Sequence, residues 1–135
     1  MNVFIVDLKH MPGELANLAD AIARKGANIT GFSGTTCGGS GQVALLTDDN
    51  VEARHAIAEG GYHARELEIV PVTLSNSPGA LAKVARKLGD NGINIEAALP
   101  LYMDDGKSRI GFAVDQPAKA MAVLGISDPV GASAR

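Results

Sequence analysis

Tryptophan is missing from this chain of 135 residues, and aromatic residues of every kind make up only 4%. Single-stranded nucleic acids are gripped by stacking bases on aromatic rings, so that platform is excluded. A basic cluster is missing as well, and the net charge is -3. Phosphate contacts supply most of the affinity for nucleic acids, so none is expected as a partner. There is one cysteine, Cys37. It cannot form an internal disulfide, which fits a reducing compartment. No long apolar run interrupts a balance of 46% hydrophobic and 20% charged residues, which belongs to a soluble globular chain and neither to disorder nor to a membrane span. The opening MNVFIVDLKH sets Asp7 and Lys9 where a signal peptide would need its apolar core, and reads as a strand. A cytoplasmic protein with no membrane partner is expected, its core built from Ala, Val, Ile and Leu.

What the chain does have is a repeat. MPGELANLADAIARKGANI (Met11 to Ile29) superposes without a gap on SPGALAKVARKLGDNGINI (Ser77 to Ile95) at a constant offset of 66 residues. Pro12 falls on Pro78, Gly13 on Gly79, Leu15 on Leu81, Gly26 on Gly92 and Asn28 on Asn94. Each copy opens with an alternating strand (Val3 to Leu8; Ile69 to Leu74), then a short loop and a helix starting at Pro, where a missing amide proton costs nothing. Leu15, Leu18, Ala19 and Ile22 recur at helical spacing, as do Leu81, Val84, Ala85 and Leu88, giving each helix one apolar face. Gly26 and Gly92 stop the helices, and a second strand follows. Glycine-rich CGGSGQ in the first copy and DDGK (Asp104 to Lys107) in the second read as hairpin turns into Val43 to Thr47 and Ile110 to Val114. Second helices are expected near Val51 to Glu59 and Ala118 to Leu124, with a fourth strand at Tyr62 to Glu66 in the first copy.

Strand, helix, strand, strand, helix, strand is the order of a ferredoxin-like unit, α+β in class, with an antiparallel sheet and helices on one face. Two such βαββαβ units in tandem are expected, at 1–66 and 67–135. The tail Ile126 to Arg135 carries Pro129 and Gly131 and no strand pattern, so the second unit is expected to lack its last strand, leaving an edge open or covered by a partner. Units this small gain from association, and a homodimer is expected.

The sequences HMPGELANLADAIARKGANI and NSPGALAKVARKLGDNGINI resemble the ACT domain family, and the chain as a whole resembles small proteins made of two ACT domains. The resemblance implies a regulatory module that catalyses nothing, binds an amino acid between ACT units, and acts on a partner protein. No cofactor and no metal are implied. The ligand residues expected are His10, Met11, Gly13, Glu14 and Leu15 in the first copy, Asn76, Ser77, Gly79, Ala80 and Leu81 in the second, with Asn28 and Asn94. The family prefers an acidic residue or Asn two positions before the Pro. Asn76 conforms and His10 departs, so the second loop is expected to matter at least as much as the first. Physically, the loop before each helix offers free amides and the positive end of a dipole to a carboxylate, while Gly13 and Gly79 leave the backbone approachable. Asn28 and Asn94, taken as close to the loop, can serve both ends of a zwitterion.

Plainer readings stand beside these. Pro-Gly is often only a turn, Asn28 and Asn94 can equally satisfy backbone groups beyond a helix end, and His10 can be a solvated loop residue. Cys37 has no paired base, and the CGGSGQ turn lacks the Lys and Ser/Thr of a phosphate loop. Glu52 and His55 have the spacing of a metal pair but no further ligands, and read as helix surface. The rival functions are a pure oligomerisation module and a small ferredoxin-like enzyme. No assembled nucleophile, base and orienting group supports the latter.

Overall fold

The computed structural model describes residues 1–126. Among them are six strands and four helices: β1 (Asn2–Lys9), α1 (Glu14–Arg24), β2 (Ile29–Cys37), β3 (Ser40–Thr47), α2 (Asn50–Glu59), β4 (Ala64–Ser75), α3 (Ala80–Asp90), β5 (Ile95–Met103), β6 (Lys107–Val114) and α4 (Pro117–Leu124). The missing last strand expected from the tail Ile126 to Arg135 concerns residues 127–135, which lie outside the described residues. No helix among the described residues is long and apolar enough to cross a membrane.

The chain divides into two compact units, Asn2–Leu67 and, together with Met1, the part from Glu68 onward. In the first unit the sheet order is β2-β3-β1-β4, with β1 and β2 each antiparallel to β3. The start of β4 closes on β1, where the Asp7 amide donates to the His63 carbonyl at 2.9 Å and Asn2 Nδ2 donates to Glu66 Oε1 at 3.0 Å. In the second unit the order is β4-β6-β5, again antiparallel. This is the α+β, ferredoxin-like arrangement. One element differs from its expected form: the closing strand of the first copy and the opening strand of the second are a single strand, β4. ARELEIV contains no glycine, proline or turn-forming pair, so nothing in it breaks the extended chain.

Each unit packs its helices on one sheet face by alternation along the strands. In the first, Phe4 and Val6 of β1 and Val43 and Leu45 of β3 meet Leu18 and Ile22 of α1 and Ala53, Ala56 and Ile57 of α2. In the second, Val70, Val72, Phe112 and Val114 meet Leu88 and Ala120. Leu18, Ile22 and Leu88 are fully buried, and truncating any of them to alanine costs about 2–5 kcal/mol. Leu15 and Leu81 leave that stripe, at 46% and 57% exposure. Helical side chains lean toward the N-terminus, so a first-turn residue overhangs the loop end of the sheet and not its centre. That lean is what brings Leu15 to the candidate site.

Candidate ligand site at the first helix start

The loop from His10 to Gly13 links the end of β1 to α1. Gly13 is the N-cap residue in the left-handed region, φ 88°, and supplies no side-chain cap. Nothing lies within 4 Å of where its Cβ would be, so glycine is required there by backbone conformation and not by crowding. Helix geometry leaves the Leu15 and Ala16 amide protons without intrahelical partners, and they lie at the positive end of the α1 dipole. The Asn17 amide is the first to find one, donating to the Gly13 carbonyl at 2.9 Å.

Beneath this helix start is a cavity of about 460 Å³. Its floor is the helix-side face of the sheet: Leu8 of β1, Gly41 and Val43 of β3, and Phe32, Gly34 and Thr36 of the edge strand β2. Lys9, His10, Met11, Glu14 and Leu15 line it from the loop side. The two floor glycines face each other across neighbouring rows, Gly34 beside Val43 and Gly41 beside Leu8. A Cβ on Gly34 would meet only the Gln42 carbonyl at 3.8 Å and Val43 Cγ2 at 4.0 Å, so bare backbone, not a packed neighbour, forms this part of the floor. Of the expected first-copy residues, His10, Met11, Glu14 and Leu15 are thus brought to one cavity, with Gly13 at its loop. The side chain of His10 makes no hydrogen bond among the described residues, so it is available at the rim.

The second helix start repeats the backbone. Gly79 has φ 86° and no side-chain cap, and the Lys83 amide donates to its carbonyl at 3.0 Å. Its surroundings do not repeat. The Asn76 side chain donates from Nδ2 to the Asp104 carbonyl at 2.7 Å and its amide donates to the Gly106 carbonyl at 3.1 Å, which ties the loop to the β5–β6 turn. Asp104 Oδ1 in turn accepts from the Lys107 amide at 2.6 Å and the Gly106 amide at 2.8 Å, and these bonds, with one from Tyr102, hold its carboxyl below the usual range. Ser77 Oγ shares a 2.8 Å hydrogen bond with Ser75 Oγ. Ala80 and Leu81 follow at the helix start. A cavity of about 450 Å³ in this unit is lined by β4, α3 and Leu124, not by Asn76 to Leu81.

The fold is shared with known regulatory proteins. The chain is similar to the regulatory subunit of aspartate kinase from Thermus thermophilus, at 18% identity and a TM-score of 0.65, over 92% of this chain and 89% of that one. It is similar also to a protein of Bacteroides thetaiotaomicron, at 20% identity and a TM-score of 0.76, over 92% and 85%. Against aspartate kinase from Clostridium acetobutylicum it aligns over 91% of its own length but 32% of that chain, at 10% identity and a TM-score of 0.60. No protein-family model matches the chain, and no curated protein matches it.

Asn28 and Asn94 require a correction. They are not close to the loops of their own units. Cys37 pairs with Ser40, as does Lys9, so the end of β2 lies at the loop, whereas Ile29 pairs with Thr47 at the other end of the sheet. Eleven residues of α1 carry the chain about 16 Å away from Gly13 before Asn28 is reached. There the Asn28 amide donates to Asp48 Oδ1 at 2.8 Å while its carbonyl accepts from the Asp48 amide at 3.0 Å. Asn94 and Asp115 repeat that exchange at 3.0 and 3.1 Å. Backbone closure at the strand start thus uses the main chain of both, and Asn94 Nδ2 donates to Glu96 Oε1 at 3.4 Å.

Several site residues went unnoticed in the sequence, among them Phe32, Gly34, Thr36 and Gly41. The available signal was glycine at strand positions where alternation calls for a core side chain. Elsewhere Cys37 is exposed at the end of β2, Gly38 and Gly39 form the turn, and Ser40 Oγ donates to the Cys37 carbonyl at 3.2 Å. Glu52 and His55 are a surface pair, Oε1 to Nδ1 3.7 Å. Among the described residues no group of three or more His, Cys, Asp or Glu is placed to hold a metal ion.

Proposed function

We infer that this chain is a tandem pair of ACT-type units that binds a free amino acid at the first helix start, catalyses no reaction, and relays occupancy to a partner protein in the cytoplasm, as a homodimer. The observation that carries the reading is the cavity under the start of α1, lined by Leu15, the carboxylate side chain of Glu14 and the ammonium of Lys9. The ligand carboxylate is served by the Leu15 and Ala16 amides and the helix dipole. Glu14, in the first turn and on the cavity wall, would repel a simple anion there but attracts an ammonium group. Both charges of a zwitterion therefore find a partner, the carboxylate at the helix start and Lys9 and the ammonium group at Glu14, whereas a plain carboxylate leaves Glu14 unanswered. The second unit has Ala80 at the position of Glu14 and offers no such partner. The similarity to a kinase regulatory subunit, and to about a third of a kinase chain, supports a regulatory and not a catalytic role.

A thermal-shift screen of the twenty amino acids tests this. A ligand at about 100 times its dissociation constant stabilises the fold by about 2.7 kcal/mol, a rise of several degrees in Tm. If no amino acid shifts Tm in protein refolded free of any carried ligand, the amino-acid reading fails and an oligomerisation module is the better account. Light scattering checks the dimer, and one chain per particle at micromolar concentration refutes it.

A further inference from the structure

Three large apolar side chains stand exposed around one cavity: Met11 at 61%, Leu15 at 46% and Phe32 at 64%. None serves the core, where Leu18, Ile22, Val43 and Leu45 already fill the space under the helices. Leu8 and Val43 continue the apolar surface across the floor, and the bare backbone of Gly34 leaves depth beside them. The polar groups, Lys9 at the end of β1, His10 of the loop and Glu14 of the first turn, are gathered at one end, so the cavity has a polar end and an apolar end. Among the described residues the second unit keeps Leu81, 57% exposed, in the place of Leu15 but differs at the other positions of this lining. Strand register sets Ala98 opposite Phe112 where Phe32 stands opposite Leu45, and Pro100 opposite Ile110 where Gly34 stands opposite Val43. Ser77 replaces Met11.

We propose that the first-unit cavity selects amino acids with a large apolar side chain, of the size of leucine, methionine or phenylalanine, and that each chain holds one such ligand. This rests on the amino-acid reading of the same cavity. The α-carboxylate and ammonium dock at the helix start, and the side chain lies over Gly34 between Phe32, Leu15 and Met11, covering surface that is otherwise wet. Each buried methylene favours binding about fourfold, so leucine should bind ten to a hundred times more tightly than alanine. Phe32 is the discriminating wall. Being mostly exposed and on an edge strand, it can be changed without emptying the core.

The test is isothermal titration calorimetry on the full chain with leucine, methionine, phenylalanine, alanine, serine, aspartate and lysine. The first three are expected to bind at one per chain with a negative heat-capacity change. Phe32→Ser should weaken leucine about tenfold and alanine much less, so that the preference for leucine over alanine shrinks, and Phe32→Leu should restore most of it. Alanine, serine, aspartate or lysine binding as tightly as leucine overturns the selectivity while leaving amino-acid binding in place. Two leucines per chain overturns the single site. No heat from any of the seven, with Tm also unmoved by all twenty amino acids, overturns the amino-acid reading itself.

Discussion

Replacing Gly34 by valine adds three carbons to the cavity floor, and its effects on folding and on binding are expected to have opposite signs. Gly34 does not lie in the left-handed region, and a Cβ there would make only ordinary contacts, 3.8 Å to the Gln42 carbonyl and 4.0 Å to Val43 Cγ2. Losing glycine's freedom in the unfolded chain stabilises by about 0.4–1 kcal/mol, and valine's preference for strands adds in the same direction. The unliganded variant should therefore melt about 2–5 °C higher than the parent. The same carbons occupy the space over which a ligand side chain would lie, so most of the ligand-induced stabilisation, about 2.7 kcal/mol at about 100 times the dissociation constant, should vanish. Differential scanning calorimetry with and without ligand reads both effects in one experiment. A variant that keeps the full ligand shift, or that melts several degrees lower without ligand, refutes the assignment of the cavity. Gly13→Val is a poorer probe. At φ 88° any side chain is strained by about 1–3 kcal/mol, so lost binding there could be lost folding.

Asn76→Ala removes the 2.7 Å hydrogen bond to the Asp104 carbonyl and should lower stability by about 1 kcal/mol without changing the ligand-induced shift, because the cavity is at the other helix start. Loss of the ligand shift, read by scanning calorimetry, would return Asn76 to the binding site. Glu66 accepts from Arg54 Nε at 2.8 Å, Arg54 Nη2 at 2.7 Å and Asn2 Nδ2 at 3.0 Å. The Arg54 hydrogen bonds hold its carboxyl below the usual 4.5, against an opposing effect of burial. A lowered folded-state value stabilises above the unfolded value and is lost as pH falls through the folded one. Glu66→Gln should therefore melt below the parent at pH 7, with the gap closing below about pH 4. Circular dichroism melts across that range check it, and a gap that does not shrink as pH falls from 5 to 3 refutes the linkage.

The framework was legible because it repeats. Pro-Gly before each helix, apolar residues at helical spacing and Gly-x-Asn-Ile after it fix strand, helix and strand twice over, and chance does not keep one offset across so many positions. The misplacement of Asn28 and Asn94 has a topological cause. In a strand-helix-strand crossover the helix runs back along the first strand, so the second strand starts at the end where the first one started. Residues just after the helix therefore lie far from the loop before it, however near they are in sequence to the motif. The β4 fusion is nearly legible as well: the strand at Tyr62 to Glu66 runs almost directly into the one that opens the second copy, and Leu67 and Glu68 carry no turn signal between them.

The site itself is written in the positions where the copies differ. Both helix starts have the same left-handed glycine and the same free amides, so that shared feature alone does not explain why a loop-lined cavity forms at one of them. The difference is in Met11 against Ser77, Glu14 against Ala80, Phe32 against Ala98 and Gly34 against Pro100. In the second copy the loop is closed down by Asn76 on the β5–β6 turn, and that hydrogen bond uses a side chain the resemblance had assigned to ligand. In the first copy His10 makes no such bond among the described residues, and Gly34 and Gly41 put bare backbone in the floor beneath the helix start. That contrast between the two loops is why one ligand per chain is the expected stoichiometry.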